Sequence, residues 1–189
     1  MLSTVNKNVI GIILERRGEP VGIFSKLFKK DTDKPQIKER SPLSIEVGDI
    51  ITYDLVDYEV VGKITYRQDN YEWFGYQLLE GKNSIWLSAE TDEQLELGIY
   101  QSINLPVSKP FPKELTYQDT TYYLEEEGEA RVVGEGRSRN INGRQIQYAE
   151  YCDEEEEHYL SLEDWGSEVE ASYGYEIEPY EIKIIAGSN

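Results

Sequence analysis

Tyr58-Glu59-Val60-Val61-Gly62, followed by Tyr76-Gln77-Leu78-Leu79 and Ile85-Trp86-Leu87-Ser88-Ala89-Glu90, is the stretch that decides the fold. Its landmarks return as Ala130-Arg131-Val132-Val133-Gly134, Tyr148-Ala149-Glu150-Tyr151 and His158-Tyr159-Leu160-Ser161-Leu162-Glu163. The Val-Val-Gly and Tyr landmarks recur after 72 positions and the Leu-Ser-x-Glu landmarks after 73, so the connecting turns differ by one residue. Short β-branched and aromatic runs between turn residues are strand chemistry. The pattern predicts an all-β protein made of two duplicated antiparallel β half-domains, small barrel or sandwich-like.

Working outward, Leu43 to Tyr53 alternates apolar and polar residues around a Gly48-Asp49 turn and reads as two strands. Tyr58–Tyr66, Trp73–Leu79, Ser84–Glu90 and Leu97–Ile103 continue the first repeat, which occupies residues 43–105. Pro106, Pro110 and Pro112 mark a connector over 106–113. The second repeat, 114–189, carries strand-like runs at Leu115–Tyr117, Tyr122–Glu125, Ala130–Gly134, Gln145–Tyr151, Tyr159–Trp165, Glu168–Tyr173 and Ile182–Ile185, with a hairpin signal at Asn140-Ile141-Asn142-Gly143.

Residues 1–42 read as an N-terminal extension, a basic amphipathic segment and a linker. The apolar run Val9 to Leu14 is too short to span a bilayer and no small-residue cleavage site follows it. Val21 is a candidate initiator, which would make residues 1–20 an upstream extension. Ile23, Phe24, Leu27 and Phe28 share one helical face beside lysines, a pattern suited to a membrane interface or a partner protein.

The 37 acidic residues against 19 basic ones give a net charge of −18, which argues against sequence-independent nucleic-acid binding. Charged partners are expected to be basic proteins, polyamines or divalent cations. A single cysteine forms no disulfide within the chain and points to a reducing, cytoplasmic setting.

Chemistry is sparse. Cys152 and His158 lack an ordered third partner, and there is no Gly-x-Ser-x-Gly elbow. Asp153 to Glu157 lacks the spacing of a calcium loop and reads as a solvated hairpin tip, as does Glu125-Glu126-Glu127 before Gly128. Val132-Val133-Gly134-Glu135-Gly136 lacks the third glycine of a dinucleotide loop and reads as a bent strand. Glu90 and Glu163 hold equivalent places after Leu-Ser-x, either as a ligand-facing carboxylate pair with Trp86 and Tyr159 beside them or as structural strand-end acceptors. The aromatic set Tyr58, Trp73, Tyr76, Trp86, Tyr148, Tyr159 and Trp165 fits a core or a groove. No catalytic residue, metal site or cofactor is assigned.

From Leu43 onward the chain resembles the bacterial family catalogued as domain of unknown function 4178. The resemblance rests on Val47-Gly48-Asp49, Tyr58-Glu59-Val60-Val61-Gly62, Trp73 with Tyr76-Gln77-Leu78, Trp86-Leu87-Ser88-Ala89-Glu90, Leu160-Ser161-Leu162-Glu163 and Tyr173-Gly174. Gly22 to Lys30 also looks like the start of family members. The family has no established enzymatic activity. Its gene neighbours, phage-shock-protein-A-like membrane-stress proteins, small membrane proteins and polyamine-synthesis enzymes, imply a partner of the first kind and a peripheral role at the inner membrane face.

The first reading is therefore a non-enzymatic interaction module, an adaptor whose Ile23, Phe24, Leu27 and Phe28 touch the membrane or a membrane-bound partner. The alternative, from a different class, is a small-ligand or polyamine-binding protein or enzyme using Glu90 and Glu163. A single short amphipathic segment gives only marginal anchoring. Changing Phe24 and Phe28 together to Ser is expected to abolish a weak, salt-sensitive co-sedimentation with anionic liposomes; sedimentation unaffected by the change would remove the segment from that role.

Overall fold

The structure, a computed structural model, describes residues 40–187. Eleven strands follow one another as β1 (Ile50–Tyr53), β2 (Val56–Gln68), β3 (Tyr71–Glu80), β4 (Asn83–Thr91), β5 (Leu95–Ile103), β6 (Glu114–Tyr117), β7 (Thr120–Gly136), β8 (Gln145–Cys152), β9 (Tyr159–Asp164), β10 (Val169–Ile177) and β11 (Ile182–Ile185). Only short 3-10 turns interrupt them, so the all-β expectation holds. No helix among the described residues is long and apolar enough to cross a membrane.

Two antiparallel meanders, β2 to β5 and β7 to β10, share a single sheet. Its order is β11-β1-β2-β3-β4-β5-β10-β9-β8-β7-β6, and a further β2–β7 pairing closes eight of the strands into a ring. The closing ladder runs from Gly62 opposite Gly136 to Arg67 opposite Arg131, and the other seam from Leu97 opposite Ile177 to Ile103 opposite Ala171. Both meanders thus contribute to one barrel. Closure leaves no open edge on those eight strands.

Alternation then sorts the side chains. On β4, Ile85, Leu87 and Ala89 are buried in an apolar cluster, whereas Trp86, Ser88 and Glu90 line a cavity that all eight strands border. The cavity is the barrel lumen; one apolar cluster, around Tyr66 and Tyr148, forms part of its wall, and the other two lie on the outer face. One cluster joins Tyr76, Leu78, Leu87 and Ile99 to Ile45 and Ile51 from β1 and the segment before it, with Ile182 and Ile184 of β11 packed alongside. The other joins Tyr151, Leu160 and Leu162 to Leu105, Val107, Phe111 and Leu115 of the connector and β6. Tyr151 donates to the Pro112 carbonyl at 2.8 Å, and Lys109 pairs with Asp164, which straps the connector down.

Several local expectations change. Residues 43–49 are not a strand: Pro42–Ser44 forms a 3-10 turn in which Ser41 and Ser44 cap one another. Tyr122–Glu125 and Ala130–Gly134 belong to one strand, β7, kept continuous by an irregularity between Leu124 and Glu126. The acidic run Glu125-Glu126-Glu127 therefore lies within a strand instead of at a hairpin tip. Asn140-Ile141-Asn142-Gly143 overlaps a 3-10 turn, Arg137–Ile141, that folds back so tightly that a Cβ on Gly134 would collide with the Ser138 backbone.

The ladders also place the sequence landmarks. Leu87 lies opposite Tyr76 and Leu160 opposite Tyr151, whereas Tyr148 lies opposite Glu163. The ladder counterpart of Tyr76 is thus Tyr151, and Tyr148 turns inward. Similarly, Val60 lies opposite Leu78 on β3, but Val132 lies against β2 opposite Tyr66. The longer β7 and the Arg137–Ile141 turn shift one meander relative to the other.

Asp49, 1% exposed, explains Val47-Gly48-Asp49. Its carboxylate accepts from the Glu46 N–H at 2.8 Å and the Gly187 N–H at 2.7 Å, and Arg40 Nε lies 3.1 Å away. Both ends of the described chain meet there. Asp49→Ala is expected to lower unfolding stability by about 1–3 kcal/mol, since it orphans buried donors, and to raise hydrogen exchange in β11 first; denaturant titration and exchange mass spectrometry test it.

Candidate functional site

The lumen cavity has a volume of about 840 Å³, within the usual range of small-molecule sites. One wall is apolar and aromatic. Tyr66 stacks on Trp73 with centroids 5.2 Å apart, Trp73 meets Tyr148 edge-on at 5.4 Å, and Trp86, Ile141 and Trp165 pack against the same group. Tyr100 fits inside because Gly98 and Gly174 flank its ring; a Cβ at either would strike it.

The remaining wall is acidic. Glu90 and Glu163, singled out from the sequence, line this one cavity, with Trp86 and Tyr159 beside them. Glu126, Glu150 and Glu176 join them. Each carboxylate has a neutral hydroxyl donor: Tyr71 to Glu90 at 2.7 Å, Ser161 to Glu150 at 2.7 Å, Tyr159 to Glu176 at 2.9 Å, and Tyr66 to Glu163. The Tyr148 hydroxyl lies 2.6 Å from both Glu126 and Gln68. Among the described residues no lysine or arginine forms an ion pair with any of these five acids.

Burial disfavours the charged form of such groups. It pushes Glu150 up to about 8; the Ser161 bond opposes this, and the Glu163, Glu90 and Glu126 charges add to it. Burial likewise lifts Glu163 to about 7, against the hydrogen bond from Tyr66. Glu90 is raised by burial too, offset by Tyr71 and reinforced by neighbouring acids. The buried Trp165 Nε1 closes no hydrogen bond of ordinary geometry, although it lies near enough to Glu163 and Glu170 to favour their ionised forms.

Glu126, Glu150 and Glu176 were missed by the sequence reading. Glu150 was aligned with Leu78 through the Tyr76–Tyr148 landmark, which hid its orientation; alternation with Tyr148 on one strand was the usable signal. The aromatic set divides. Trp73, Trp86, Tyr148, Tyr159 and Trp165 line the lumen, while Tyr58 and Tyr76 belong to the outer cluster.

Cys152 and His158 are absent from the lining. Burial first, then Glu125, pushes the Cys152 thiol up to about 11. His158 Nδ1 lies 3.0 Å from Asp153, and its ring stacks on Tyr173. Asp153 is buried and accepts from the Glu157 and His158 N–H groups, so it organises the turn in which Glu154 to Glu157 are exposed. Ile23, Phe24, Leu27 and Phe28 lie outside the described residues.

Residues 46–179 match the model of the family described as Domain of unknown function (DUF4178), and the chain belongs to that family. The uncharacterized protein Mb2628 of Mycobacterium bovis and the uncharacterized protein Rv2597 of Mycobacterium tuberculosis are each 27% identical over 145 residues. The alignments cover 72% of this chain and 66% of each relative. No solved structure matches the chain.

The raised carboxyls set a pH dependence of stability. Protonated Glu150 and Glu163 are favoured in the folded state, so their contribution is full below the ordinary carboxyl range and is lost as pH rises through about 7 to 8. Glu150→Gln should match the parent in thermal melts at pH 5 and exceed it at pH 8, by on the order of a few degrees in Tm. Equal melting at pH 8 would contradict burial as the dominant cause.

Proposed function

We propose that the barrel is a binding module for a small organic cation of the polyamine class, and that it is not an enzyme. The observation that carries this is a lumen in which Glu90, Glu150 and Glu163 face one another with hydroxyl donors but, among the described residues, no cationic partner. A hydroxyl satisfies part of a carboxylate's hydrogen-bonding capacity and none of its charge. An amine supplies both, and Trp73, Trp86 and the tyrosines give its methylenes and charge an aromatic wall. An organic ammonium fits better than a metal ion. Among the described residues no three His, Cys, Asp or Glu side chains are grouped closely enough to hold one, whereas a polyamine spreads its charges along a chain.

Binding is favoured over catalysis by the candidate nucleophiles. The protonated Cys152 thiol and the Asp153-bound His158 both lie off the cavity lining. The adaptor role in a membrane-stress system is a separate proposal carried by Ile23, Phe24, Leu27 and Phe28, and ligand occupancy of the barrel would give such an adaptor something to report.

A bound ammonium stabilises the ionised carboxylates, so binding should release protons and strengthen between pH 6 and pH 8. Calorimetric titration of the full chain with spermidine and 1,4-diaminobutane should show saturable binding at pH 8, weakened at least about tenfold by the Glu150→Gln/Glu163→Gln double change. Matched sodium or magnesium chloride should not reproduce it. Equal heats from parent and double variant would refute the assignment.

A further inference from the structure

The lumen is not acidic throughout. Arg137 and Arg144 also border it, at the end where the Arg137–Ile141 turn crosses the barrel. Arg40, Arg67 and Lys109 each form an ion pair, but among the described residues Arg137 and Arg144 form none. Their neighbours on that side of the lining are Ser138, Asn140, Ser167 and the exposed Glu168 and Glu170, neither of which they bridge. Arg131 and Arg139 likewise form no ion pair among the described residues, so what sets Arg137 and Arg144 apart is their place on the cavity lining.

The carboxylates lie progressively farther from these arginines. Arg144 immediately precedes β8, on which Tyr148 and Glu150 point inward, and Glu163 sits level with Tyr148 across the β8–β9 ladder. At roughly 3.3 Å per residue, Glu163 is about 13 Å and Glu150 about 20 Å from Arg144 along the strand. Glu90 lies close enough to Glu126 and Glu176 to feel their charges, at the far end, where the β2–β3, β4–β5 and β8–β9 turns gather. Arginine at one end, and from the middle to the other end carboxylates that have hydroxyl donors but, among the described residues, no ion pair, give the cavity a dipolar character.

We infer that the ligand is an elongated molecule with an amine at one end and an acid group, carboxylate or phosphate, at the other, the amine seated among Glu90, Glu150 and Glu163 and the acid held by Arg137 and Arg144. This rests on the organic-cation reading and narrows it. Guanidinium presents paired donors that match carboxylate and phosphate oxygens, and two of them at one end, with Asn140 beside them, recognise an acid where a second amine would be repelled.

The test is calorimetric titration of the full chain at pH 8 with three probes of one chain length: 1,6-diaminohexane, 6-aminohexanoate and 6-aminohexyl phosphate. At least one of the two acids should bind about tenfold or more tighter than the diamine, and the stronger of them identifies the acid group. In the Arg137→Gln/Arg144→Gln variant that advantage should collapse, so that acid and diamine affinities converge. Both arginines are exposed, and an unchanged melting temperature checks that the variant is folded. A diamine that binds as tightly as either acid, or an acid advantage that survives in the variant, overturns the dipolar ligand while leaving the cation site standing. Absence of binding by all three probes, and by spermidine, overturns both.

Discussion

The β2–β7 ladder is the contact on which the rest depends. Without it the two meanders would meet only along β5 and β10, and the sheet would be an open band with backbone groups unpaired on β2 and β7. With it, eight strands share one inside, and each residue is committed to lumen or outer face by its parity along the strand. The bulge after Val60 is part of this commitment. It lets the first half of β2 leave the ring and pair with β1, while Ile64 and Tyr66 turn inward.

A small barrel usually fills its interior with apolar side chains, and this one does so on one side, where residues of β2, β7 and β8 meet Trp73 of β3 and Trp86 of β4. The main apolar burial lies outside the ring, beneath β1 and β11 on one flank and beneath the connector and β6 on the other. Lys63 reinforces the first flank, reaching the Ile45 carbonyl at 3.2 Å and lying over the rings of Phe74 and Tyr76. Enclosed carboxylates oppose folding when ionised. The outer clusters supply hydrophobic stabilisation in compensation, which is why a lumen whose acids have hydroxyl donors but, among the described residues, no ion pair is compatible with an ordered shell.

Much of this was legible in the residues. Strand chemistry, turn residues and the Leu-Ser-x-Glu recurrence indicated an antiparallel β protein, and Glu90 with Glu163 stood out as a pair. What was hidden has a physical cause in each case. The inward turn of Glu150 depends on strand register, which the Tyr76–Tyr148 landmark misassigned; the ladders relate Tyr76 to Tyr151. Three adjacent acids at Glu125-Glu126-Glu127 suggest a solvated hairpin tip, yet a strand exposes alternate members of such a run to different faces. Ring closure joins β2 to β7, far apart in the chain, and no local pattern announces it. Arg137 and Arg144 carry no sequence signal of a role, since their place beside the lumen without an ion pair exists only in three dimensions.

The placement of the apolar clusters outside the ring has an evolutionary consequence. In proteins whose core fills the barrel, each change to the interior is also a change to stability. Here the two tasks are divided between faces of the same strands, so selection can alter one set of alternate residues while the other keeps the fold. A lineage built on this shell can change what its lumen presents by a handful of inward substitutions without first finding a new way to stay folded.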